Sequence, residues 1–104
     1  MDENNVDVFL MIKLNPNRNS YCISSIKKYK FKIYVNYLQK NFPSLKIVLI
    51  LLNIINMNKL IYIIKSHLNI EYSGNYFKTY NMTELDFILL ILKINNMLNK
   101  FYQA

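Results

Sequence analysis

Cys22 is the only cysteine of the chain, and the segment Cys22-Ile23-Ser24-Ser25 follows a first strand and turn. If a helix starts there, its dipole holds a first-turn thiol as thiolate, and Cys22 becomes a candidate nucleophile with Ser24 or Ser25 as hydrogen-bond partners. The plainer reading is a small apolar side chain packed under that helix. One thiol allows neither an internal disulfide nor a cysteine-built zinc site. His67 is likewise the only histidine and reads as a turn residue, so no metal or cofactor is expected.

The second constellation is basic. Lys27, Lys28, Lys30 and Lys32, with Lys40 and Lys46, form the densest run of positive charge, and Tyr29, Tyr34 and Tyr37 interleave with them. Lysines reach phosphates and tyrosines stack on bases, so Arg18, Lys27, Lys28, Lys30, Lys32 and Lys40 are the candidate RNA contacts. The competing reading is a solvated helix face with lysine stems lying over aromatic rings. Glu84 and Asp86 are not an acid/base pair, because a helix start accounts for both. Asn81-Met82-Thr83 has the form of a glycosylation sequon and is taken as that same helix start. Gly74 is the only glycine, which excludes a glycine-rich phosphate loop.

The elements that must position these residues follow from pattern. Residues 6–14 (VDVFLMIKL) place Val6, Val8, Leu10, Ile12 and Leu14 on one face of a strand, with Phe9 and Met11 on the other. Residues 15–20 (NPNRNS) are turn chemistry. Residues 21–41 admit two readings. A helix capped by Ser20 groups Cys22, Ile23, Ile26, Ile33, Tyr34 and Tyr37, whereas a strand alternates Tyr29, Phe31, Ile33, Val35 and Tyr37 with lysines. The helix is adopted as the crossover before a buried strand; otherwise 28–38 and 45–52 form a hairpin.

Residues 45–52 (LKIVLILL) suit a central strand covered on both sides. A membrane helix over 45–64 has the length, but Lys46, Asn53, Asn56, Asn58 and Lys59 fall inside it. Residues 60–65 and 68–72 read as strands joined at Ser66-His67, and 73–75 as a turn. Thr83 with Asp86 resembles a capping box and opens a helix to Phe101. That helix carries two apolar stripes: Leu85, Ile88, Leu89 and Leu92, and Phe87, Ile91, Ile94, Leu98 and Phe101. The second is expected to face a partner protein. The fold class expected is therefore α/β, a minimal thioredoxin-like β-α-β-β-β-α with a mixed sheet and two helices.

The length of 104 residues suits a single domain, 1–104, with 1–5 as a disordered acidic N-terminus. Thirteen basic and six acidic residues leave a net charge of +7, which attracts polyanions. Arg18 is the only arginine, and the abundance of Asn, Ile, Lys and Tyr is what A/T-rich codons encode, so part of that charge follows composition. Hydrophobic residues make up 53% and charged residues 18%, a thin polar coat that calls for a covering partner. Asp2, Glu3 and Asp7 are unlike a signal peptide or presequence.

From residue 10 to residue 50 the chain resembles the non-enzymatic thioredoxin-like domain shared by certain mitochondrial ribosomal proteins and a small accessory subunit of respiratory complex I. Ser24-Ser25, Phe31, Gln39-Lys40-Asn41 and Pro43-Ser44-Leu45-Lys46-Ile47 carry the likeness, while Tyr29 stands where that family has Arg. Residues 38–47 and 80–98 are also similar to selenoprotein W-like redoxins, without their second redox residue. The first resemblance implies a mitochondrial ribosomal protein that contacts rRNA and neighbouring subunits. The alternatives are a single-thiol redoxin using Cys22 and a membrane-associated protein inserting 47–64, with the cytoplasm as the other compartment.

Overall fold

The computed structural model describes residues 6–103; the acidic segment 1–5 lies outside them. The elements are β1 (Asp7–Lys13), β2 (Ser20–Lys27), α1 (Lys28–Asn41), β3 (Lys46–Leu51), α2 (Met57–Lys65), β4 (Ile70–Ser73), β5 (Tyr76–Thr79) and α3 (Glu84–Gln103). All pairings are antiparallel, in the order β3-β1-β2-β5-β4. The class is α/β, with five strands and three helices.

Helices cover both faces of the sheet. Phe9, Met11, Tyr21, Ile23 and Phe77 point to the side where α2 and α3 supply Leu60, Ile64, Phe87, Ile91 and Ile94. Leu10 and Ile12 point to the other side, under Leu38, Phe31, Tyr34 and Val35 of α1. The strand sandwiched on both faces is thus β1, in which Val8 to Lys13 are all buried. Residues 45–52 were expected to hold that central place. Their strand, β3, is instead an edge, and its residues are only partly covered.

Three further expectations are corrected. First, residues 21–41 are neither one helix nor one strand. Residues 20–27 pair with β1 as a hairpin, which is why the sheet is antiparallel rather than mixed. The helix begins at Lys28, where Phe31, Tyr34, Val35 and Leu38 adopt helical spacing against the sheet. Second, residues 60–65 are helix α2, not a strand. Asn56 caps it by accepting from the Lys59 amide at 3.0 Å, and Met57, Leu60 and Ile64 are its buried stripe. Third, the hairpin β4–β5 turns on Gly74, whose φ is +57, so the short strand Tyr76–Thr79 joins a sheet that the sequence pattern left one strand smaller. Residues 45–64 accordingly contain a strand, a connection and all but the last residue of the nine-residue helix α2. No helix among the described residues is long and apolar enough to cross a membrane.

The start of α3 follows the expected capping box. The Asp86 amide donates to Thr83 Oγ1 and the Thr83 amide to Asp86 Oδ2, both at 3.1 Å.

Candidate nucleic-acid interface

α1 is built from KYKFKIYVNYLQKN, with four lysines and no carboxylate. Its inner face is spent on the sheet, so helical geometry sends Tyr29, Ile33 and Tyr37 outward as one ridge at i, i+4 and i+8. They are 54%, 75% and 61% exposed. The lysines flank this ridge rather than forming one face: Lys28 and Lys32 lie on one side and Lys30 on the other, with Lys40 at the last turn. Lys30 Nζ sits 5.5 Å from the Tyr29 ring centre, and Ile26, Lys30, Ile33, Tyr34 and Tyr37 line a groove along the β2 side of the helix.

The other expected RNA contacts are dispersed. Lys27 closes β2 and pairs with Asp7 at 3.0 Å. Arg18 lies in the β1–β2 turn, at the end of the sheet where α1 finishes. There it lines a shallow groove with Leu14, Asn15, Ser20, Cys22 and Tyr76. Every carboxylate among the described residues is engaged elsewhere: Asp7 with Lys27, Glu71 with the Tyr80 hydroxyl, Glu84 with Lys13 and Lys46, Asp86 with its own cap. Among the described residues none of these carboxylates is paired with Lys30, Lys32 or Lys40, so the field along the later turns of α1 is positive.

Cys22 is on β2, opposite Ile12 and Tyr76, and not at a helix start. Burial pushes its thiol up, against a smaller opposing hydrogen bond from Tyr76, so the dipole argument for a thiolate has no geometric basis. His67 is in the turn after α2, where Nδ1 accepts from the Asn69 amide at 3.1 Å. No cluster that could hold a metal ion occurs among the described residues.

The stripe expected to face a partner is mostly the core. Phe87 and Ile91 are fully buried and Ile94 and Leu98 nearly so, leaving only Phe101 exposed. Leu85 and Leu89 of the other stripe are the exposed ones. The sequence pattern missed Ile33 as a surface residue; four apolar positions at helical spacing on α1's opposite face were the signal that could have placed it.

Comparison with family models, curated proteins and solved structures finds no match to the chain. The functional reading therefore rests on its own residues.

Proposed function

We propose that the protein is a non-enzymatic subunit of a larger ribonucleoprotein assembly, applied to single-stranded or looped RNA through the outer face of α1. One observation carries this: a helix with four lysines and no carboxylate presents an exposed Tyr29–Ile33–Tyr37 ridge. Lysines on both flanks reach backbone phosphates, while the two tyrosines, about 12 Å apart along the helix, offer stacking faces to bases. RNA of any sequence satisfies such a surface, which fits a chain with a single arginine.

A mitochondrial ribosome is the assembly we place first, on the residue likeness over 10–50. The thioredoxin-like layout itself has narrower support. It needs a helical crossover between β1 and its neighbour, and here β2 occupies that place; what remains in common is a sheet with helices on both faces.

The test is binding of the full chain to unstructured RNA across a salt series. Affinity is expected to fall with salt, with a log–log slope of about −2 to −3 for three or four phosphate contacts. The variant Lys30→Ala/Lys32→Ala/Lys40→Ala should flatten that slope. Absence of binding at about 50 mM salt, or an unchanged slope in the variant, defeats the reading. So does protein from its native source that sediments free of any large particle.

A further inference from the structure

α1 covers only part of its side of the sheet. The apolar layer beneath it takes in Ile47 of β3, Leu10 and Ile12 of β1, and Cys22 and Ile26 of β2, but no residue of β5 or β4. Register shows which side chains lie on the part left bare, because directly opposed residues share a face. Tyr76 is opposite Cys22 and Lys78 opposite Ser20. Ser73 and Glu71 oppose Tyr76 and Lys78 in turn. All of these therefore lie on the α1 side, while Phe77 between them points into the core under α2 and α3.

Two of the grooves open on this same side. One follows the flank of α1 over Ile26, and the other joins Arg18 to Cys22 and Tyr76. Cys22 and Ile26 are alternate positions on one face of β2, so the two grooves follow each other along that strand.

We infer that a single RNA strand passes from the α1 ridge down this flank and onto the bare half of the sheet, where Tyr76 stacks a third base and Arg18 holds a phosphate. This rests on the RNA reading of α1, and it narrows the ligand to an unpaired strand. A duplex keeps its base faces inside its own stack, whereas an open strand offers them first to Tyr37 and then to Tyr76.

Tyr76 suits that place. Its side chain is exposed, yet it also bonds the Cys22 thiol on the neighbouring strand, about 4.8 Å away. The ring thus leans across the sheet toward α1 instead of standing off it. Charge favours the same path. No carboxylate among the described residues is paired with Arg18. On this side the described strands carry one carboxylate, Glu71, which lies opposite Lys78 on the outermost pair and accepts from the Tyr80 hydroxyl at 2.9 Å. The positive field therefore reaches from α1 to Tyr76 and ends at the balanced Glu71 and Lys78.

Cys22 is the only thiol of the chain and lies on the floor of this path, so it reports on it. RNA confined to the outward ridge of α1 would leave it open. Alkylation of the full chain by N-ethylmaleimide is measured alone, with an oligouridylate of about ten nucleotides, a length such grooves take, and with an RNA duplex of the same length. The single strand is expected to slow the reaction severalfold and the duplex to leave it unchanged. Tyr76→Ala should weaken binding of the oligouridylate at least about fivefold, the lower end for one stacked base, with circular dichroism unchanged. Tyr76→Phe, which keeps the ring, should bind like the native chain, and so should Tyr62→Ala on α2. Arg18→Ala should flatten the log–log salt slope by about 0.7. A strand that binds with its full salt dependence but leaves Cys22 as reactive as in the free chain overturns the path and leaves the α1 reading standing. Native affinity in Tyr76→Ala does the same, as does equal protection by the duplex. Absence of binding at about 50 mM salt overturns both.

Discussion

Lys13 Nζ lies 2.9 Å from Glu84 Oε1, tying the buried end of β1 to the first turn of α3. Only 7% of the lysine side chain is exposed, and its nitrogen also sits 5.0 Å from the Tyr21 ring centre. Glu84 Oε2 accepts from Lys46 Nζ at 2.7 Å, so one carboxylate joins β1, β3 and α3. A lysine so deeply placed is tolerated only with a counter-charge. Glu84→Gln is therefore expected to cost about 2 to 4 kcal/mol, because Lys13 stays buried without its partner. Replacing both with apolar residues, Lys13→Met/Glu84→Leu, should cost less than the single change. Urea unfolding of the two variants checks the order.

The same contact sets a pH dependence. Hydrogen bonds from Lys46 and then Lys13 hold the Glu84 carboxyl below the usual glutamate range. Its stabilisation is complete above the unfolded value of about 4.3 and is lost as pH falls through the lower folded value. Melting temperature between pH 2 and 6 should drop more steeply in the native chain than in Glu84→Gln; parallel curves would show that this carboxylate contributes nothing.

Cys22 should behave as an inert thiol. Burial on β2 raises its pKa, so alkylation at pH 7.5 is expected to be several-fold slower than that of free cysteine, whose thiol titrates near 8.5. Cys22→Ser should leave RNA binding unchanged. Thiolate absorbance that titrates below about pH 7 would restore the redoxin reading.

Tyr29 and Tyr37 separate stacking from charge. Tyr29→Ala and Tyr37→Ala should each weaken RNA binding by about 1 to 3 kcal/mol while leaving the salt slope intact, since base stacking releases no counterions. Lysine variants should do the reverse. A tyrosine variant that binds as well as the native chain would reduce the ridge to exposed side chains without a ligand.

The sequence by itself determined the elements whose cues are local. Alternation marks β1, Thr83 and Asp86 mark the start of α3, and a short apolar run marks β3. The β2–α1 junction has no such mark. Lys27 caps α1 without a side-chain hydrogen bond, no acidic residue sits in the first turn, and neither Gly nor Pro interrupts the run. Period-2 and period-3.6 patterns therefore overlap across one lysine-rich stretch. Residues 60–65 are ambiguous for a related reason: six mostly apolar residues fit either a buried strand or a helix face, and the cue was one residue type, Asn56 as an N-cap.

Tertiary structure alone decided which apolar surface goes inside. The two stripes of α3 are alike in hydrophobicity, and the sheet buries Phe87, Ile91, Ile94 and Leu98 while leaving Leu85 and Leu89 in water. It likewise put β1 rather than β3 between the two helical layers, because the β1–β2 hairpin leaves β3 only the outer side of β1. Local pattern states that a segment has an apolar side. Which neighbour that side meets depends on residues distant in the chain, and only the packed molecule brings them together.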